Sequence, residues 1–149
     1  MRTDMDNGVL PAGNATPGET SPTVKASRIA QAAAVVYVLW GLLHLQAAFM
    51  VYKLGSTLES GMVHGRMLQH AWNLLFASIL AITIAVTMNW KNRRDGYWIN
   101  AVLVSLVDLG FVFFILFPGY VPMWPGALGP VTWLVAWALS WLALKGANS

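Results

Sequence analysis

The sequence predicts an all-α integral membrane protein, a four-helix bundle with both termini in the cytoplasm. Three observations carry that reading. Of its 149 residues, 57% are apolar and only 10% charged, a balance too apolar for an ordinary soluble domain. Four apolar segments have, or come close to, the roughly 20 helical residues that cross a hydrocarbon core about 30 Å thick. The cations are also sorted: Lys25, Arg28, Lys91, Arg93, Arg94 and Lys145 fall on one side of such a layout, and only Lys53 and Arg66 on the other. The positive-inside rule places the richer side in the cytoplasm, and the expected location is the inner (plasma) membrane as a multi-pass protein.

Residues 1–28 differ in kind from the rest. They contain Asp4, Asp6, Glu19, Pro11, Pro17 and Pro22 among many Gly, Ser, Thr and Asn residues, and such a composition has too little to bury to offset ordering the chain. A disordered polar tail is expected there. It is not a signal peptide, because a long polar stretch precedes the first apolar run. Asn14-Ala15-Thr16 matches the glycosylation pattern, but a cytoplasmic tail makes that a chance match.

The transmembrane domain is expected over 29–145, followed by a short tail at 146–149. Span one, 29–52, runs outward to Lys53-Leu54-Gly55, and a semi-polar connection, 56–68, lies at the outer surface. Span two, 69–90, returns to a tight basic turn at 91–96. Span three, 97–117, stops at Pro118-Gly119, because proline cannot donate the next helical hydrogen bond. A proline-rich loop, 120–126, leads to span four, 131–144, which gains a turn by starting near Ala127. Tryptophans mark the boundaries: Trp90 and Trp98 at the inner one, Trp72 and Trp124 at the outer, as an aromatic belt requires. Trp133, Trp137 and Trp141 recur every fourth residue on one face of span four, for lipid or subunit packing or for stacking on an aromatic ligand.

The net charge of +3 is thus a topology signal, and no nucleic-acid partner is expected. The chain has no cysteine, which excludes disulfides, thiolate ligands and a cysteine nucleophile. It also lacks a glycine-rich phosphate loop and a nucleophile elbow.

What remains is a set of polar residues in apolar surroundings. Asp108 lies near the middle of span three, where a carboxylate costs roughly 3 kcal/mol on insertion scales and usually marks a functional interior. An unpaired charge is excluded at that depth, so Asp108 should be protonated or paired with His44, His70 or Arg66. His44 falls in the outer half of span one, and His70 and Asn73 in the first outer turns of span two. Each sits among small residues at three- and four-residue spacing: Ala34, Tyr37, Gly41, His44, Ala48; Arg66, His70, Asn73, Ala77, Ala81; Ala101, Ser105, Asp108. Such faces pack closely, so all four residues are expected to line one cavity opening to the outer side. Structural alternatives stand beside this: His44 donating to a backbone carbonyl or to Asp108, His70 and Arg66 snorkelling to the interface, and Asn73 joining helices. His64 opens span two in His64-Gly65-Arg66. It is six residues from His70, hence about 120° away round a helix, so the two cannot share one metal as an i, i+4 pair does. One of them suits a lone axial haem ligand.

The layout resembles the styrene oxide isomerases, small four-span membrane enzymes. The resemblance extends over 29–145 and is carried by three pieces: His64-Gly65-Arg66 with Asn73 soon after; Leu109-Gly110-Phe111-Val112-Phe113-Phe114; and Trp124-Pro125-Gly126-Ala127-Leu128-Gly129-Pro130 before span four. It implies a ferric haem b held by a histidine, matched here by His64, that acts as Lewis acid on an epoxide oxygen, and a trimer with haem between subunits. The chain departs from the family at two positions. His70 stands where the family has its asparagine, and Val112 replaces an expected tyrosine, so the substrate-orienting pair is altered.

The sequence therefore supports three readings. The first is a haem b-dependent isomerase of a small lipophilic epoxide. The second is a cofactor-free enzyme in which Asp108 and a histidine exchange protons with a lipophilic substrate. The third is a non-enzymatic accessory or lipid-binding subunit. Asp108, Asn73 and His70 are the expected catalytic groups. His64, His44 and Arg66 are expected to hold a cofactor, with His64 as the metal ligand. The bilayer, a small lipophilic ligand and further copies of the chain are the expected partners.

Overall fold

A computed structural model describes residues 22–147. Helix α1 spans Pro22–Ser56 and α2 spans Met62–Thr87. A 3-10 turn, Asn89–Lys91, leads to α3 at Arg94–Phe111, which continues through a π-helical turn at Val112–Leu116. A one-turn helix α4, Met123–Gly126, precedes α5 at Leu128–Ala147. Among the described residues there is no strand. Four of these helices are long and apolar enough to cross a membrane: α1, α2, α3 with its π turn, and α5.

The spans outrun their expected limits. Most of the tail read as disordered lies outside the described residues, but 22–28 within it form the first turns of α1. Packing extends the helix there: Ala26 and Ala30 are buried, and Ala26 approaches Gly146 at the far end of α5. Likewise α2 begins at Met62, so His64, Gly65 and Arg66 are helical and not part of the outer connection. The short C-terminal tail expected at 146–149 is helical through Ala147, with 148–149 outside the described residues.

Helix α1 packs chiefly on α2 and α5, and α3 packs more lightly on the same two. Small residues make the approach close. The buried residues along these interfaces include Ala33, Ala34 and Gly41 on α1, Ala77, Ser78, Ala81 and Ala85 on α2, and Ala136, Ser140 and Ala143 on α5. A Cβ on Gly41 would run into the side chain of Ile82. Without a hydrophobic drive between helices in lipid, such close packing and interhelical hydrogen bonds hold a bundle together. The large side chains point outward instead, Leu42, Phe49, Phe76, Ile79, Leu106 and Phe113 among them. An apolar exterior of that extent suits hydrocarbon and not water. This is a multi-pass membrane protein.

One end of the bundle carries the start of α1, the end of α5 and the turn between α2 and α3. A polar knot ties it. Buried Asn100 donates from Nδ2 to Asn89 Oδ1 (3.0 Å) and to the Ala81 carbonyl (3.3 Å). Asn92, whose φ of 52° is the left-handed conformation that asparagine tolerates well, donates to the Ala143 carbonyl at 3.1 Å. These bonds join α2, the turn, α3 and α5. The connections near 57–61 and 117–127 lie at the opposite end.

Candidate functional site

Trp40 and His44 are four residues apart on α1, so they stack one turn above the other on the face turned inward. Their rings are parallel to within 24°, with centroids 3.8 Å apart. His44 Nδ1 lies 2.9 Å from the Trp40 carbonyl. A carbonyl only accepts, so Nδ1 carries a hydrogen and Nε2 is the nitrogen left to face α3. Opposite it lies Asp108, wholly buried, whose Oδ1 is 3.7 Å from His44 Nε2. The other carboxyl oxygen, Oδ2, accepts the Trp40 indole N–H at 2.6 Å.

Asp108 Oδ1 has no hydrogen-bond partner, and its distance from Nε2 is beyond hydrogen-bond range. A bare nitrogen lone pair facing a bare carboxylate in a buried site is untenable. One proton therefore belongs to the pair, on Nε2 or on Oδ1. The third wall is Gly129, in the first turn of α5: a Cβ there would sit 3.1 Å from His44 Cε1 and 3.3 Å from Asp108 Oδ1. Three helices thus converge on one carboxyl group, and the glycine backbone fills the space beside it.

Of the four residues expected to share a cavity, the structure brings together His44 and Asp108 and leaves His70 and Asn73 exposed on α2. The reason is rotational. The more buried stripe of α2 runs through Met67, Ala71, Leu74, Ser78, Ala81 and Ala85. Arg66, His70 and Asn73 each precede a stripe position by one residue, which is about 100° round the helix. Arg66 is also exposed and donates to Gln69 Oε1 at 3.0 Å. Ala77, on the same nominal face, is buried deeper in the bundle.

His64 occupies a different place. It lies in the first turn of α2, half-buried, with Nδ1 2.9 Å from the Gly55 carbonyl at the end of α1. The hydrogen again belongs on Nδ1, and Nε2 has no partner among the described residues. Gly55 is itself buried against Met67 and Leu68, so the carbonyl that orients His64 is held in place. No group of three or more His, Cys, Asp or Glu side chains that could hold a metal ion occurs among the described residues.

Sequence reasoning missed Trp40 and Gly129. The signal for Trp40 was its four-residue spacing from His44; Gly129 left none, because its role depends on where α5 lands. The tryptophan row on α5 also divides. Trp133 donates to Ser105 Oγ at 2.9 Å across to α3, while Trp137 and Trp141 face outward. Comparisons with protein-family models, with curated proteins and with solved structures find no match to this chain.

Proposed function

We propose that this protein is a haem b-dependent membrane isomerase of a small lipophilic epoxide, with its termini in the cytoplasm and His64 as the axial ligand. The observation that carries the reading is the hydrogen bond from His64 Nδ1 to the Gly55 carbonyl. Metal-binding histidines almost always donate their second ring N–H to such a partner, which fixes the tautomer and raises the basicity of the ligating nitrogen. His64 is therefore oriented before any ligand arrives, and its Nε2 is left without a partner among the described residues. Bound haem supplies a ferric Lewis acid that polarises an epoxide oxygen. The chain's part is to bind and orient. His70 and Asn73 stand as polar groups on an exposed surface beside Trp72 and Phe76, suited to hold one oxygen of an otherwise apolar substrate. Round α2 they lie about 120° and 180° from His64, so His64 of one copy would work with His70 and Asn73 of another. A homo-oligomer, a trimer by resemblance, satisfies that requirement.

The test is an absorption spectrum of protein purified after expression with ample haem, before and after dithionite. A Soret band that shifts on reduction and disappears in His64→Ala is expected. A featureless spectrum, or turnover by folded haem-free protein, ends this reading.

A second reading has its own observation. His44 and Asp108 share a proton and could exchange it with a lipophilic substrate. Gly129 weighs against it, since its backbone occupies the space a substrate oxygen needs. Under this reading Asp108→Asn abolishes turnover without loss of folding; unchanged turnover dismisses it. The packing fits better with the pair setting the register of α1, α3 and α5.

A further inference from the structure

A half-open groove of about 130 Å³ runs between α1 and α2, lined by Ala34, Val35, Val38, Leu39, Val86 and Trp90. It lies toward the basic end of the bundle, at the opposite end from His64 and more than one turn of α1 below His44. Every lining side chain is apolar except for the indole N–H of Trp90, which donates to no group among the described residues. Val35, Leu39, Val86 and Trp90 are each about half exposed, so the groove opens to the surroundings and not into the bundle.

Its lower rim is cationic. Lys91 directly follows Trp90. Arg28 lies seven residues before Val35, two turns down on nearly the same face of α1. Both are exposed and neither is ion-paired among the described residues, whereas Arg93 is held by Asp95 at 3.2 Å. A slot for hydrocarbon thus leads down past an indole donor to two cations without an ion-pair partner among the described residues. Apolar cavities of this order of size take up small hydrocarbons such as benzene, and basic pockets between transmembrane helices bind anionic headgroups.

We infer that this groove binds one anionic glycerophospholipid, with an acyl chain between α1 and α2 and its phosphate at Trp90, Lys91 and Arg28. The site is independent of the haem assignment. A zwitterionic lipid fills the same slot but carries a compensating cation that meets the same two basic side chains, so the preference is electrostatic. Each cation near a membrane surface contributes about fivefold to anionic lipid binding.

Native mass spectrometry of the full chain, released from detergent with equal phosphatidylglycerol and phosphatidylcholine of matched acyl chains, tests the site. One phosphatidylglycerol per protomer, retained in preference to phosphatidylcholine, is expected. Arg28→Gln with Lys91→Gln should erase the preference, and both changes lie on the surface. Val35→Phe, which fills the groove from its exposed wall, should lower retention of both lipids. Equal retention of the two lipids by the unaltered protein overturns the proposal, as does a preference that survives the double variant. A shift in oligomer mass with Val35→Phe, without change in lipid retention, also overturns it and assigns the groove to a second copy of the chain.

Discussion

His44 and His64 are the same side chain held in the same way. Each donates from Nδ1 to a backbone carbonyl at 2.9 Å, and in each the chemistry is left to Nε2. They differ in burial and in what Nε2 meets. For His44 it is Asp108, 3.7 Å away and enclosed by Trp40 and Gly129, so the polar group faces another within the chain. For His64, half-buried in the first turn of α2, it is nothing among the described residues. A buried polar group in a membrane is costly unless paired. Pairing it inside therefore stabilises the bundle, while leaving it at the margin equips the bundle to bind.

The contrast can be broken by exchanging readouts between the two sites. The largest effect expected is complete loss of the Soret band in His64→Ala, with the band kept in His44→Ala; the reverse pattern would move the cofactor to the interior. Next comes Trp40→Ala, which removes a fully buried ring and the only hydrogen-bond donor to the Asp108 carboxyl among the described residues. It should cost about 3–5 kcal/mol of stability, read from unfolding in detergent, with the spectrum unchanged. Gly129→Ala drives a methyl group toward His44 and Asp108, and overpacking of that kind costs about 1–3 kcal/mol. Combined with His44→Ala the cost should shrink, since the neighbour it strikes is gone. Trp40→Phe keeps an aromatic ring but loses the N–H and part of the ring's volume, leaving Asp108 Oδ2 without its donor, at a cost of about 1–3 kcal/mol. His70→Ala, on the exposed side of α2, should change stability by less than about 0.5 kcal/mol. A large loss there would mean that His70 is covered in the folded protein, most simply by a second copy.

The four spans were legible because length and hydropathy over some twenty residues leave little else for them to be. Asp108 was legible for the same reason, as one carboxyl group in a long apolar run, and its pairing with His44 was among the partners that depth allowed. Direction was harder. Spacing put Arg66, His70 and Asn73 on a face with Ala77 and Ala81, yet a helix face is interior only where neighbours cover it. Near the start of α2 that cover narrows to one side of the helix. Trp40 was passed over because tryptophans in membrane proteins are first read as interfacial, whereas this one is fully buried. Asn89 and Asn100 drew no notice at the ends of spans, where asparagine is commonplace. Gly129 and the π turn depend on how α3 and α5 meet, which no local pattern encodes.

The hydrogen bond between Trp40 and Asp108 joins residues 68 positions apart in the chain. At translation rates of about 5–20 residues per second, the donor emerges roughly 3 to 14 seconds before its acceptor. Throughout that interval α1 lies in or beside the insertion machinery with an indole N–H that nothing in the nascent chain can answer. Asp108 then arrives to meet that donor through Oδ2, and the backbone of Gly129 follows later to close the space beside Oδ1. A chain interrupted between those two points leaves the carboxyl group without the wall that α5 supplies.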